Sequence, residues 1–132
     1  SLAGADLLVY PTAIGWNPRD KKDERNRQLD AWLTIQRGHA IANGLHVLCV
    51  NRTGLEKASS GRGKIDFWGN SFAAGPQGEL LAKAGDSNEE TLIVDLDMNR
   101  TETVRRAWPF LRDRRIDTYD GISQRFGHRA KK

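Results

Sequence analysis

The sequence predicts an α/β fold, on three observations. Leu7-Leu8-Val9-Tyr10 and the run from Leu45 to Asn51 are short apolar segments of strand type, and a helical pattern from about Asp23 to Asn43 lies between them. A strand, a helix and a strand in that order make a βαβ unit, whose right-handed crossover sets both strand ends on one edge. Further on, Gly75-Pro76-Gln77-Gly78 separates two strand-like runs. Pro76 presets one φ angle and Gly78 accepts a positive φ, so the two runs are expected to pair antiparallel.

The first run reads as a strand buried on both faces, and such strands need neighbours before them as well as after. The sequence therefore predicts preceding residues, and it places Pro11-Thr12-Ala13-Ile14-Gly15 at a strand end, where open α/β folds put ligand loops. Trp16 to Arg27, with Asn17-Pro18 and a dense charge run, reads as a loop into a helix start. In the helix, Leu29, Trp32, Leu33, Ala40 and Ile41 form one apolar stripe and Gly44 is the stop.

The strand from Leu45 ends on the polar cluster Asn51-Arg52-Thr53-Gly54, the counterpart of the Thr12 turn. Glu56 to Lys64 reads as a loop, without the Gly-Lys-Ser/Thr order that cradles phosphate ahead of a helix. Asp66 to Ala74 is expected to be one strand, Glu79 to Lys83 its partner, and Thr91 to Leu96 another strand by its alternation. Asp97 to Ala107 reads as a short capped helix ended by Pro109. The domain thus runs over 1–109. Residues 110–132 form a tail whose Trp108-adjacent aromatics, Phe110, Tyr119 and Phe126, with Leu111, Ile116 and Ile122, suit packing on another subunit.

Composition is that of one soluble domain, with 132 residues, 38% apolar and 29% charged. No run approaches the roughly 20 apolar residues of a membrane helix, and no signal-type segment opens the chain, so a cytoplasmic protein with no membrane partner is expected. The net charge of +4 is concentrated in Arg112, Arg114, Arg115, Arg125, Arg129, Lys131 and Lys132. Asp113, Asp117 and Asp120 interleave with them, and no nucleic-acid-reading motif accompanies them, so no nucleic-acid partner is expected.

Local chemistry yields no complete catalytic apparatus. The single cysteine, Cys49, lies mid-strand, where a thiol packs as a small hydrophobe. His39, His46 and His128 lack ligand spacing, so no metal is expected, and His39 is read as bonded locally. Glu56 and Asp66 read as surface charges. Ser71 lacks the Gly-x-Ser-x-Gly elbow and reads as a hydroxyl bonding backbone at a strand bend.

Tyr10-Pro11-Thr12-Ala13-Ile14-Gly15, Gln36-Arg37-Gly38-His39-Ala40, Asn51-Arg52, Gly69-Asn70-Ser71-Phe72 through Gly75-Pro76, and Phe110-Leu111-Arg112-Asp113-Arg114-Arg115 occur in one order. In that order the chain resembles the C-terminal half of the carbon–nitrogen hydrolases of the nitrilase superfamily, in the branch acting on N-carbamoylputrescine. The resemblance implies half of a four-layer α-β-β-α sandwich and a Glu-Lys-Cys mechanism whose three residues lie upstream, so that the chain holds no catalytic residue and is inactive alone. It implies a small carbamoyl amine as substrate, no cofactor, and a homo-oligomer with the tail at a subunit interface.

By the same resemblance the turn Pro11, Thr12 and Ala13 approaches the substrate, with Thr12 as the direct contact and Trp16 over the methylene chain. Against this stands a purely structural turn at Thr12, and for Asn51 and Arg52 a role in fixing the neighbouring loop. Rival functions are another amidase branch, β-ureidopropionase-like or ω-amidase-like, and a non-catalytic basic module.

Overall fold

The computed structural model describes residues 1–125. Along them the elements are β1 (Leu7–Pro11), β2 (Gly15–Trp16), α1 (Lys22–Asn43), β3 (His46–Val50), β4 (Thr53–Lys57), β5 (Lys64–Trp68), β6 (Phe72–Ala74), β7 (Leu80–Lys83) and α2 (Met98–Ala107). The expected α/β class holds. Four strands form one sheet in the order β1-β3-β6-β7, and β2-β5-β4 form a second. β1 and β3 are parallel, with Tyr10 opposite Cys49 and Pro11 opposite Val50, as the βαβ unit requires.

Helix α1 stops where the sequence says it should. Gly44 adopts φ 54° and ψ 49° and donates its N–H to the carbonyls of Ala40 and Ile41, closing the last turn. The apolar stripe of α1 then lies on the larger sheet: Trp32 and Ala40 are buried against Val47, Cys49, Phe72 and Ala74, with Leu29 and Leu33 alongside. Trp32 meets Phe72 edge-on at 5.7 Å and Trp68 at 6.0 Å, and Trp68 meets Trp16 at 5.5 Å. The aromatic chain carries one core across both sheets, each buried ring contributing on the order of 1.5–3 kcal/mol by burial.

Two arginines fasten α1 at its far end. Arg37 Nε donates to the Gly78 carbonyl at 2.6 Å, joining the helix to the β6–β7 turn. Arg105, on α2, donates to the carbonyl of Asn43 at 3.2 Å and to that of Ala5 at 3.2 Å. That turn is closed as the sequence predicts, with Gly78 at φ 76° and its N–H on the Gly75 carbonyl.

Among the described residues β1 is an edge strand and Val9 is 55% exposed, so the burial on both faces expected of it is not reached within them. Three expectations are corrected. The segment read as a loop is a hairpin, because Thr53–Lys57 pairs antiparallel with Lys64–Trp68 and only residues 58–63 form the tip. The single strand read over 66–74 is broken: Gly69 and Asn70 take φ 56° and 57°, left-handed values that no strand accommodates, and send β5 and β6 into different sheets. Residues 91–96 form no strand: Leu92 and Val94 line a cavity together with Leu48, Phe72 and Ala73 and pair with no strand, while Ile93 is 94% exposed.

After α2, capped by the Asp97 side chain on the Asn99 N–H, the chain runs through turns and one 3₁₀ turn at Ile116–Thr118. Phe126, His128, Arg129, Lys131 and Lys132 lie outside the described residues. Among the described residues no helix is long and apolar enough to cross a membrane.

Candidate functional site

The chain passes directly from the larger sheet to the smaller, or back, at three places: residues 12–14 between β1 and β2, 51–52 between β3 and β4, and 69–71 between β5 and β6. All three converge on Asn51. Its Oδ1 accepts from the Ile14 N–H at 3.0 Å and from the Thr12 hydroxyl at 3.1 Å. Its Nδ2 donates to the carbonyls of Ile14 and Gly69, both at 3.0 Å. The amide is therefore saturated, and its orientation is fixed by backbone groups whose donor or acceptor character is not in question.

Ser71 bonds the backbone of the same residue and not its side-chain amide. Its hydroxyl accepts from the Asn51 N–H at 2.9 Å and lies 3.3 Å from the Asn51 carbonyl, the structural bonding at a bend that the sequence suggests. Gly69 donates to the Arg52 carbonyl at 3.0 Å, and a Cβ at Gly69 would stand 2.6 Å from the Gly85 carbonyl. Gly15, which ends the first crossing, is equally constrained, since a Cβ there would stand 2.3 Å from the Asp66 carbonyl.

Thr12 is half-buried at this junction. Its N–H donates to the Val50 carbonyl at 2.7 Å, and its hydroxyl faces that carbonyl and Asn51 Oδ1, each at 3.1 Å. Both neighbours are acceptors, so the one hydroxyl proton is committed inward. What the Thr12 oxygen retains is acceptor capacity. Pro11 and Ala13 flank it, both exposed.

Trp16, the fourth residue expected at the pocket, is tied into the core. It packs on Trp68, donates its indole N–H to the Arg25 carbonyl at 3.1 Å and carries the Arg25 guanidinium over its ring at 5.2 Å. Arg25 also reaches Asp66 at 3.5 Å, and Glu56 pairs with Arg52, which places both candidate carboxylates in partly exposed ion pairs. Arg52 lies over the Phe67 ring at 4.6 Å, and beyond it Thr53, Gly85, Glu89 and Glu90 line an open polar cleft.

Cys49 is 1% exposed, and burial alone pushes its thiol up to about 12. A thiol so protonated is no nucleophile at neutral pH. His39 stacks on Tyr10 with ring centres 6.1 Å apart. Among the described residues no group of three or more His, Cys, Asp or Glu is placed to hold a metal ion. The parallel between Thr12 and Asn51 was visible in the sequence as two polar strand ends on one edge. The amide's grip on Gly69, eighteen residues away, was not.

Known proteins share this chain's pattern. It is 43% identical over 122 residues to the N-carbamoylputrescine amidase of Solanum tuberosum, covering 90% of this chain and 39% of that one. It is 34% identical over 130 residues to a citrullinase of Francisella tularensis, covering 96% of this chain and 42% of the relative. The crystal structure of a carbon-nitrogen hydrolase from Helicobacter pylori superposes with a TM-score of 0.90 at 54% identity, over 95% of this chain and 43% of that chain. The chain thus spans about two fifths of the length of the relatives it matches. The sequence profile of the carbon-nitrogen hydrolases matches residues 1–106, and this chain belongs to that family.

Proposed function

We propose that the enzyme carrying this chain hydrolyses the terminal urea of an N-carbamoyl amine, with N-carbamoylputrescine giving putrescine, carbon dioxide and ammonia. The Thr12 turn forms one wall of its pocket. The observation that carries this reading is the inward commitment of the Thr12 proton to Val50 and Asn51. An oxygen with only lone pairs to offer suits the N–H groups of a urea or an ammonium and opposes a carboxylate.

Two further facts support an amine over an acid. Arg52, which follows Asn51 on the adjoining crossing, is already paired with Glu56 and stacked on Phe67, so it is not a free carboxylate receptor. The relatives named for N-carbamoylputrescine and for citrulline are named for compounds that carry a terminal urea. In this reading a cysteine thiolate attacks the carbamoyl carbon, one nitrogen leaves, and water releases the remainder as a carbamate that loses carbon dioxide. A glutamate moves the protons and a lysine faces the oxyanion. Cys49 is too buried and too basic for the first step, so the nucleophile is assigned to residues outside these 132, and the chain alone is expected to be inactive.

The test is steady-state kinetics of the complete enzyme on N-carbamoylputrescine and on an ω-amide of an acidic substrate. Thr12→Val is expected to lower kcat/KM for the carbamoyl amine by about tenfold, the worth of one hydrogen bond to a charged or polarised group. An unchanged value, or a wild-type preference for the acidic substrate, would overturn the proposal.

A further inference from the structure

We infer that Asn51 is a positioning residue of the substrate site, which aims the Thr12 oxygen by holding the three sheet crossings together. This rests on the pocket-wall role proposed for Thr12. Asn51 itself has no capacity left for substrate: both lone-pair directions of Oδ1 and both Nδ2 protons are used inside the protein. Its partners are the reason it matters. Oδ1 and Nδ2 grip the N–H and the carbonyl of the same residue, Ile14, so the backbone just after Thr12 is clamped in two directions.

The clamp is anchored on firm ground. The Gly69 carbonyl belongs to a segment locked by left-handed φ values at Gly69 and Asn70, by the Asn70 N–H on the Gly85 carbonyl at 2.8 Å, and by burial of both residues. Thr12 is therefore referenced to the β5–β6 crossing through one amide. The same amide oxygen helps to draw the Thr12 proton inward and keeps its lone pairs available. A side chain of the same size without the amide would leave the Thr12 hydroxyl on the Val50 carbonyl alone and release the turn from Gly69.

The experiment compares N51L with S71A in the complete enzyme, since Ser71 bonds the Asn51 backbone and not the Thr12 turn. Using N-carbamoylputrescine, N51L is expected to raise KM about tenfold with a much smaller change in kcat, while S71A leaves KM at the wild-type value even where it lowers Tm. T12V and N51L combined should raise KM no more than the larger single effect, because both act on one contact. If N51L does not fold, N51D keeps the acceptor side, loses both donations, and should still raise KM above that of S71A. A KM for the Asn51 variant equal to that of S71A, with T12V still impaired, overturns the inference and leaves the pocket wall standing. A T12V enzyme with unaltered kcat/KM overturns both.

Discussion

The imidazole Nδ1 of His46 lies 3.2 Å from the hydroxyl of Thr101, in the buried seam between β3 and α2. Burial lowers the basicity of this ring, and the Glu79 and Asp97 carboxylates oppose the shift only in part. A histidine held neutral in the fold but free to charge when unfolded contributes stability above its ordinary pKa of about 6.5, and that contribution is lost as pH falls below it. Tm should therefore decline between about pH 7.5 and pH 5, and H46Q should flatten that slope. Glu24, Asp113 and Asp117, whose pKa values their arginine partners lower, act only further down, through the carboxylate range. A pH–Tm slope identical in H46Q and wild type would refute the assignment.

One substitution, Gly→Ala, should act with opposite sign at two positions. At Gly69 it combines a φ of 56° with a Cβ 2.6 Å from the Gly85 carbonyl, and a loss of about 2 kcal/mol or more is expected in denaturant unfolding. At Gly38, inside α1, no atom lies within 4 Å of the added methyl, and a gain of about 0.5–1 kcal/mol is expected. Equal effects at both sites would show that the crossing is not strained in the way described.

Cys49 should resist alkylation by iodoacetamide in the native protein at pH 8 and react once denatured, since its thiol is enclosed and raised to about 12. Mass spectrometry before and after unfolding reads this directly. C49S, which buries a hydroxyl in an apolar cluster, should cost about 1–3 kcal/mol and exceed the cost of C49A. Rapid native labelling would contradict the packing.

Arg105 closes α1 against the chain start, and R105A should cost about 1–2 kcal/mol by freeing the carbonyls of Asn43 and Ala5. R105K should not restore it, because a single ammonium cannot span both acceptors. Full recovery by lysine would reduce the contact to charge alone.

Local rules made much of this fold legible. The α1 stripe with its Gly44 stop, the βαβ order, the Gly75–Gly78 turn and the Asp97 cap each depend on residues a few positions apart. What escaped depends on partners far along the chain. Thr53–Lys57 carries Gly54 and three exposed polar or apolar residues with no clean alternation, and becomes a strand only because β5 pairs with it. The run 66–74 holds Gly69-Asn70-Ser71 at its centre, residues open to left-handed φ, but its flanks Phe67-Trp68 and Phe72-Ala73-Ala74 both read as strand, and only the pairing shows that they join different sheets. At the site, the sequence offered Thr12 and Asn51 as two polar strand ends, yet Asn51 bonds Ile14 from 37 positions away. Pairings of that span come from the assembled sheets.

The β4–β5 hairpin gives the molecule a handle for instrumentation. Its tip, residues 58–63, is exposed and holds Gly61 and Gly63, around which an added Cβ would meet nothing within 4 Å. Only the Ala58–Gly63 and Ala58–Gly61 backbone bonds close it. A fluorophore-bearing or affinity peptide spliced there would sit on the smaller sheet, several residues removed along each strand from the Asn51 junction. Tagging at that loop offers a way to follow the protein, or to tether it to a surface, with the Asn51 junction left intact.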